Sequence, residues 1–489
     1  MSLPANSNDS PRFAVLGGGI SGLTAAYRLT QLVPHASIEV FEASSKLGGV
    51  LSTHRDGEYL IEHGADSFLK KLPWAVELCE ELGLGEELLP TNPRGRRALV
   101  VRDGRLYPVP EGFVILQPHR MLPMLCTPLL SWGGKLRVLR ERWATSPEGL
   151  QAADYDESVA SFATRRLGRE AFERLVQPLL AGIFTADPYQ LSLAATMPDA
   201  ICAEREYGSL TRALLMKSKL EDTTSRGASD SRASGARYAS FVTLRRGVGQ
   251  LVETLAGRLP AERIHLDTAI SSVEKRENRR WTIQQEGGTS HGPFDGVVVA
   301  LPAPRATTIV ENVDTQLGEL LGRISYASSG IVCMVYRRDQ IAHRLDGFGL
   351  VVPTVEGRNI IAASFSSVKF PGRAPDDELL VRVFLGGALQ PELVDLPDKK
   401  LQELAHADLK QLLGITGQPL RVDLVRWHEK MPQYPVGHVQ VVDAIEKRVA
   451  ALEGLEVAGN AYRGVGIPQC VRSGNAAARR LQENYEHTR

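Results

Sequence analysis

The sequence predicts an α/β fold: a parallel sheet wrapped by helices, joined to a mixed-sheet lobe and to an inserted helical lobe. Two observations carry this. At one end, an apolar strand closing at Leu16 runs into Gly17-Gly18-Gly19-Ile20-Ser21-Gly22, and Glu42 stands twenty residues beyond the last glycine. At the other end, 455–460 reads as a buried strand entering a glycine turn, and Gly464-Val465-Gly466-Ile467 then opens a helical stretch to about 480. The first is the G-x-G-x-x-G turn of a βαβ unit of Rossmann type, with its acid at ribose distance. Gly17 permits the tight turn, Gly19 a close approach to pyrophosphate, and Gly22 helix–strand packing. The helix-start amides, from Ile20 and Ser21 onward, then face the phosphates, where the helix dipole favours negative charge. Glu42, closing a strand over 37–42, is placed to accept from the ribose hydroxyls.

The residues beyond Glu42 select the dinucleotide. The run Glu42-Ala43-Ser44-Ser45-Lys46-Leu47-Gly48-Gly49 adds a second glycine pair, with Ile61-Glu62-His63-Gly64-Ala65-Asp66-Ser67 after it. A nicotinamide dehydrogenase has no need of glycines there. A chain that stretches FAD through its interior does, because backbone must approach the second phosphate and the ribityl chain. A helix starting at the Gly464–Gly466 turn would point its amides at the isoalloxazine ring.

Between these ends the pattern alternates. The stretches 73–84, 157–167 and 169–180 carry apolar residues at helical spacing. Residues 221–235 are rich in Ser, Arg, Gly, Asp and Thr without apolar anchors, which predicts a flexible loop. From Tyr238 the nucleotide-binding character returns: a strand at 241–244, a helix to 259, strands at 264–266 and 269–275, and a continuous apolar strand at 294–301 of the kind buried in a parallel sheet. A β-rich block covers 330–336, 347–352, 360–365 and 379–385. The implied organisation is a discontinuous FAD-binding unit (10–75, 238–304 and 440–489), a mostly helical insertion (90–215) and an α+β substrate lobe (part of 76–110 with 305–439).

With 489 residues, the chain is too long for one core. Its 57 basic residues balance 57 acidic ones, so no global charge favours nucleic acid. Five scattered cysteines without C-x-x-C spacing suggest reduced thiols in the cytoplasm and neither a disulfide frame nor a metal site. Cys470, in the helix after the last glycine turn, reads as a packed thiol. The polar first eleven residues do not read as a signal peptide. No apolar run is long enough to span a membrane. The nearest, 121–132, is broken by Pro123 and Pro128 and flanked by cations across 119–142. It reads either as a buried helix with a basic side or as a surface that touches the acidic face of a bilayer.

Several further motifs carry a resemblance: Gly64-Ala65-Asp66-Ser67-Phe68-Leu69, Arg97 before a strand, Gly347-Phe348-Gly349-Leu350-Val351-Val352-Pro353, Met431-Pro432-Gln433-Tyr434 with Gly437-His438, and Ala458-Gly459-Asn460-Ala461-Tyr462-Arg463-Gly464-Val465-Gly466-Ile467. Over nearly its whole length the chain resembles the flavin-dependent protoporphyrinogen and coproporphyrinogen oxidases, within the group that includes monoamine oxidases and phytoene desaturases. The resemblance implies an FAD-binding domain of the amine-oxidase/p-hydroxybenzoate-hydroxylase type. It places FAD contacts on Gly17, Gly18, Gly19, Ile20, Ser21, Gly22, Glu42, Ala43, Lys46, Gly49, Gly64, Ala65, Asp66, Ser67, Val273, Trp427, Gly459, Val465, Gly466 and Ile467. Lys46 stands where most amine-oxidase relatives carry arginine. The substrate pocket maps onto Arg97, Phe348, Gly349, Val351, Ser364 and Phe384, with Ser364 in place of an expected apolar residue.

Such a pocket suits a porphyrinogen, a large apolar ring with carboxylates at its rim. Phe348 and Phe384 would sandwich pyrrole faces, and Arg97 would hold a propionate bidentately. The implied chemistry is hydride transfer from a bridging methylene carbon to the flavin, reoxidation by dioxygen with release of hydrogen peroxide, and no side-chain acid or base. Lys70-Lys71 after the Asp-Ser-Phe-Leu run resembles the coproporphyrinogen-using enzymes, which leaves the two porphyrinogens level. The resemblance also leaves room for a homodimer, for hand-over to the next haem-pathway enzyme and for a peripheral seat on the inner face of the cytoplasmic membrane. An amine oxidase or carotenoid desaturase, or a non-catalytic carrier like the guanine-nucleotide dissociation inhibitors, are the competing readings.

Overall fold

Strands from the start, middle and end of the chain form one parallel sheet. In the computed structural model, which describes residues 10–118, 120–216, 240–276 and 279–488, its order is Ile264–His265, Ser37–Phe41, Arg12–Leu16, Gly296–Val299, Leu455–Val457. Every neighbouring pair is parallel. The central strand is covered on both sides, as continuous apolar strands require. Phe13 and Val15 pack among the helices Ile20–Leu32, Pro73–Glu81 and Ile467–Thr488. Ala14 and Leu16 pack the other way, on the antiparallel sheet Ile270–Lys275, Trp281–Gln285, Ser290–Phe294 and the helices Ala303–Val310, Thr315–Gly322 and His438–Ala450.

The second large sheet has seven strands, in the order Arg421–Pro432, Tyr326–Arg337, Glu378–Gly386, Ile360–Phe365, Gly349–Val351, Ala98–Arg102, Arg105–Pro108. Period-two alternation again sets its faces. Leu99, Val101, Leu350 and Ala363 pack with Leu401, Ala405 and Leu409 of the helix Asp398–Leu413. Ala98, Val100, Val351 and Ala362 turn to the opposite side, towards the helical region that holds Phe162, Phe172 and Leu179. That region is pinned by a buried carboxylate. Glu141, fully enclosed, accepts hydrogen bonds from the amides of Leu210 and Thr211 and the hydroxyls of Ser209 and Thr211, and pairs with Arg166.

Two expectations are corrected. The helix over 169–180 is unbroken but not α throughout: between Arg169–Ala171 and Gln177–Phe184, Phe172–Val176 winds as a π-helix. Pro178 has no amide proton to give the carbonyl four residues back, so an unbroken α ladder cannot pass through it. The stretch 121–132 is not a buried helix. Only Met124 is buried within the short helix Met121–Cys126, and Leu122 and Trp132 are 72% and 74% exposed. The two prolines confine regular structure to short pieces, so that Met124, Leu129 and Leu130 pack inward while Leu122 and Trp132 turn outward. The loop expected at 221–235 lies outside the described residues.

Candidate functional site

The N-terminal glycine turn is built as its sequence requires. Gly17 has φ +105°, and a Cβ on Gly22 would run into the Gly17 carbonyl, so the first helix lies against the strand exit only because both are glycine. The Gly17 amide donates to the Phe41 carbonyl at 2.8 Å. No side chain caps this helix at Gly19, and space beside Gly19 is open. Uncapped amides at a dipole's positive end are an anion site in waiting. Glu42 lies just past its strand, its carboxylate accepting from the Gly18 amide at 2.7 Å and from the Ser44 amide and hydroxyl. Gly48 and Gly49 close the far side, with the Gly48 amide on the Gly18 carbonyl at 2.8 Å. Ala43 and Lys46 are exposed at the rim, and Val273 is buried in the strand Ile270–Lys275 near Phe41.

The last helix brings the C-terminal turn to the same place. Gly474 lies so close to the Ser21 carbonyl that any side chain would collide with it. Burial pushes the Cys470 thiol up to about 11, with a hydrogen bond to Ser21 opposing. Ile20, Ile467 and Val471 share one core. The turn before this helix is clasped by Tyr434, whose hydroxyl accepts from the Gly464 amide at 3.0 Å and donates to the Asn460 carbonyl. Tyr434 stacks on His438, which binds the Tyr462 carbonyl. The Gly459 amide donates to Ser473, and Val465 packs towards the helical region.

A cavity of about 370 Å³ opens beyond this junction. Gly64, Ala65, Asp66 and Ser67 line one side, and Phe348, Gly349, Val351, Ser364 and Phe384 line another. Sheet register explains the second group. Ala98, Gly349, Ser364 and Arg382 form one row across four strands, and Val351, Ala362 and Phe384 the next row on the same face. Leu179, Gly182 and Ile183 of the helix Gln177–Phe184 form a lid-like wall, with Phe241 beside them. Trp427 reaches the segment from behind, its indole donating to the His63 carbonyl at 2.7 Å.

Arg97 stands apart from the other five substrate-pocket residues. It ends one residue short of the strand Ala98–Arg102 and pairs with Asp346 through both its carboxylate and its carbonyl. It opens on an adjoining groove of about 700 Å³ together with Arg94, Arg96 and Glu111. Three charged cavity residues lie close together: Lys369 donates to Asp66 and Ser67, each at 2.9 Å, and Arg382 pairs with Asp66 at 3.4 Å and donates to the Gly64 carbonyl. Burial opposes ionisation of Asp66, but Lys369 and Arg382 outweigh it and hold the carboxyl well below its usual range. Lys369 and Arg382 were not among the sequence candidates. Arg382 could have been found from Phe384, two residues on along the same strand; Lys369, in a short loop helix, gives no such signal.

The junction fits FAD: uncapped amides for the phosphates, a carboxylate for the ribose, and a second glycine turn whose helix packs on the first. Fold and site together define a flavoprotein oxidoreductase. The model for flavin containing amine oxidoreductases matches residues 20–482. A coproporphyrinogen III oxidase from Propionibacterium freudenreichii subsp. freudenreichii is 30% identical, the alignment covering 95% of this chain and 89% of the relative. One from Bacillus subtilis (strain 168) is 29% identical over 96% of this chain and 98% of its own. The mitochondrial protoporphyrinogen oxidase of Nicotiana tabacum is 28% identical over 96% and 94%. Among solved structures, a candidate protoporphyrinogen oxidase from Exiguobacterium sp. 255-15 superposes with a TM-score of 0.83 at 29% identity, covering 97% of this chain and 99% of that one. Cyclohexylamine oxidase from Brevibacterium oxydans IH-35A, at 17% identity and a TM-score of 0.68, shares the fold alone. The chain belongs to the flavin containing amine oxidoreductases and, within them, to the protoporphyrinogen/coproporphyrinogen oxidase family. It is an enzyme, and its cofactor is FAD.

Proposed function

We propose that this enzyme oxidises a porphyrinogen to the porphyrin in haem biosynthesis, with dioxygen as the terminal acceptor and hydrogen peroxide as its product. One observation carries the reading. Gly64–Ser67, expected to touch FAD, and Phe348, Gly349, Val351, Ser364 and Phe384, expected to touch substrate, line the same cavity. When bound, FAD supplies the hydride acceptor for the bridging methylene carbons; the chain's own residues bind, orient and keep water out. Phe348 and Phe384 offer ring faces with little loss of side-chain entropy. Arg97, its side chain 40% exposed, can exchange Asp346 for a propionate that extends into the groove it lines. On this reading 10–75, 238–304 and 440–489 hold FAD, part of 76–110 with 305–439 binds the substrate, and 90–215 is a mostly helical insertion.

The outward residues Leu122, Trp132, Leu136 and Trp143, among Arg137, Arg140 and Arg142, suit a peripheral seat on an acidic membrane face. Among the described residues no helix is long and apolar enough to cross a membrane. The test is turnover of coproporphyrinogen III and protoporphyrinogen IX side by side on the FAD-loaded enzyme, monitored by porphyrin fluorescence and peroxide. Amines oxidised with no porphyrinogen turnover would move the assignment to an amine oxidase.

A further inference from the structure

The cavity wall carries a charge imbalance that the site as described leaves without a role. Lys369 and Arg382 face Asp66 with side-chain exposures of 13%, 2% and 14%. Behind them Arg373 is buried and held by the Leu244 and Arg245 carbonyls and the Thr243 hydroxyl. The other carboxylate in this cluster is Glu62, bound to Thr53 and to the Val248 amide, whose acidity burial weakens. Among the described residues of this cluster, three cations therefore face two carboxylates, one of them biased towards its neutral form. An excess positive charge enclosed at low dielectric is costly unless an anion accompanies it. The Phe241 and Phe370 rings under Lys369 offset only part of that cost. Lys369, Arg382, Asp66 and Phe241 all border the cavity.

We propose that Lys369 and Arg382, held in place by Asp66, form an anion subsite in the cavity wall. It receives negative charge from the cavity's occupants: the charge the flavin ring takes up on reduction, or a carboxylate of the porphyrinogen. This rests on the reading of the cavity as the flavin and porphyrinogen site. Asp66 fixes Lys369 within reach of Ser67 and so sets where the ammonium stands, while the two cations together leave the wall positive.

The test uses the FAD-loaded enzyme and its Lys369→Met variant. Two quantities are measured: the midpoint potential of bound FAD, and KM for coproporphyrinogen III against its tetramethyl ester. If the flavin supplies the anion, Lys369→Met moves the potential to more negative values and leaves both KM values in place. If the substrate supplies it, KM for the acid rises about tenfold or more, while the ester's KM and the potential hold. Lys369→Arg restores whichever quantity moved. Unmoved potential and unmoved KM in a variant that melts like the wild type overturn the subsite. Should Lys369→Met fail to fold, Lys369→Gln, which removes the charge but keeps a polar head for Asp66 and Ser67, must shift one readout in the same direction; no shift overturns the proposal equally. Wild-type turnover of the porphyrinogens tests the underlying reading separately, so the two can fail independently.

Discussion

At the scale of single residues, Arg97 is the sharpest case. Sequence places it in the substrate pocket, whereas the fold sets it outside the cavity, on the adjoining groove and paired with Asp346. A guanidinium that holds a substrate carboxylate is worth more than an exposed ion pair, because charge-assisted bonds gain strength as water is excluded. Arg97→Ala should lower kcat/KM for a porphyrinogen by roughly ten- to a hundredfold, in line with the loss of a charged hydrogen bond. FAD content, read from the flavin absorbance of the purified protein, should not change. Equal turnover by the variant would remove Arg97 from the pocket. The residues that shape the glycine turn were legible without any structure, since Gly17, Gly22 and Glu42 are demanded by local geometry. Lys369 and Tyr434 were not legible as site residues, because each acts on a segment far away in sequence: Lys369 on Asp66, Tyr434 on Gly464.

At the scale of elements, the strand Leu455–Val457 carries a cost that can be measured. Glu456 sits in the sheet, 1% exposed, with its carboxylate 2.8 Å from Arg480 of the last helix. Burial pushes its pKa up to about 7, and Arg480 draws it back only in part. In the unfolded chain the carboxyl ionises near 4.5. Stability is therefore lost as pH rises from the unfolded value through the folded one, and the full penalty is present above it. Glu456→Gln removes the ionisation. Its melting temperature relative to wild type should climb between pH 5 and pH 8, by an amount corresponding to about 2–3 kcal/mol. A difference that stays flat across that range would show that Arg480 compensates the charge fully. Element types were readable for the parallel strands and for helices such as Pro73–Glu81, where apolar spacing is unambiguous. The π-helical turn at Phe172–Val176 was not, because its cause is one missing donor inside an otherwise helical pattern.

At the scale of the whole molecule, the exposed aromatic and basic surface on the helical region is the feature with the clearest consequence. Trp132 and Trp143 are 74% and 69% exposed, with cations stacked over both rings. Aromatic anchors contribute apolar burial and the arginines attraction to acidic headgroups. Co-sedimentation with vesicles containing phosphatidylglycerol should fall several-fold in Trp132→Ser/Trp143→Ser, and binding of the wild type should weaken as salt is raised. Vesicle binding untouched by both changes would rule out this face as the contact. The remaining path of the chain places the cavity between the seven-stranded sheet, the segment Gly64–Ser67 and the helix Gln177–Phe184 of the helical region.

The amino-acid sequence on its own determined the local chemistry: a glycine turn with its acid, a second glycine turn at the far end, and strands whose apolar runs demand burial on both faces. These arise from neighbouring residues, whose sterics and periodicity act over a few ångströms. Only the tertiary structure decided which side chains share the cavity. Cross-strand register set Gly349 beside Ser364 and Arg382, and a loop from elsewhere in the chain laid Lys369 on Asp66. Such pairings are fixed by how sheets and helices pack, a long-range free-energy balance that no short window of residues records.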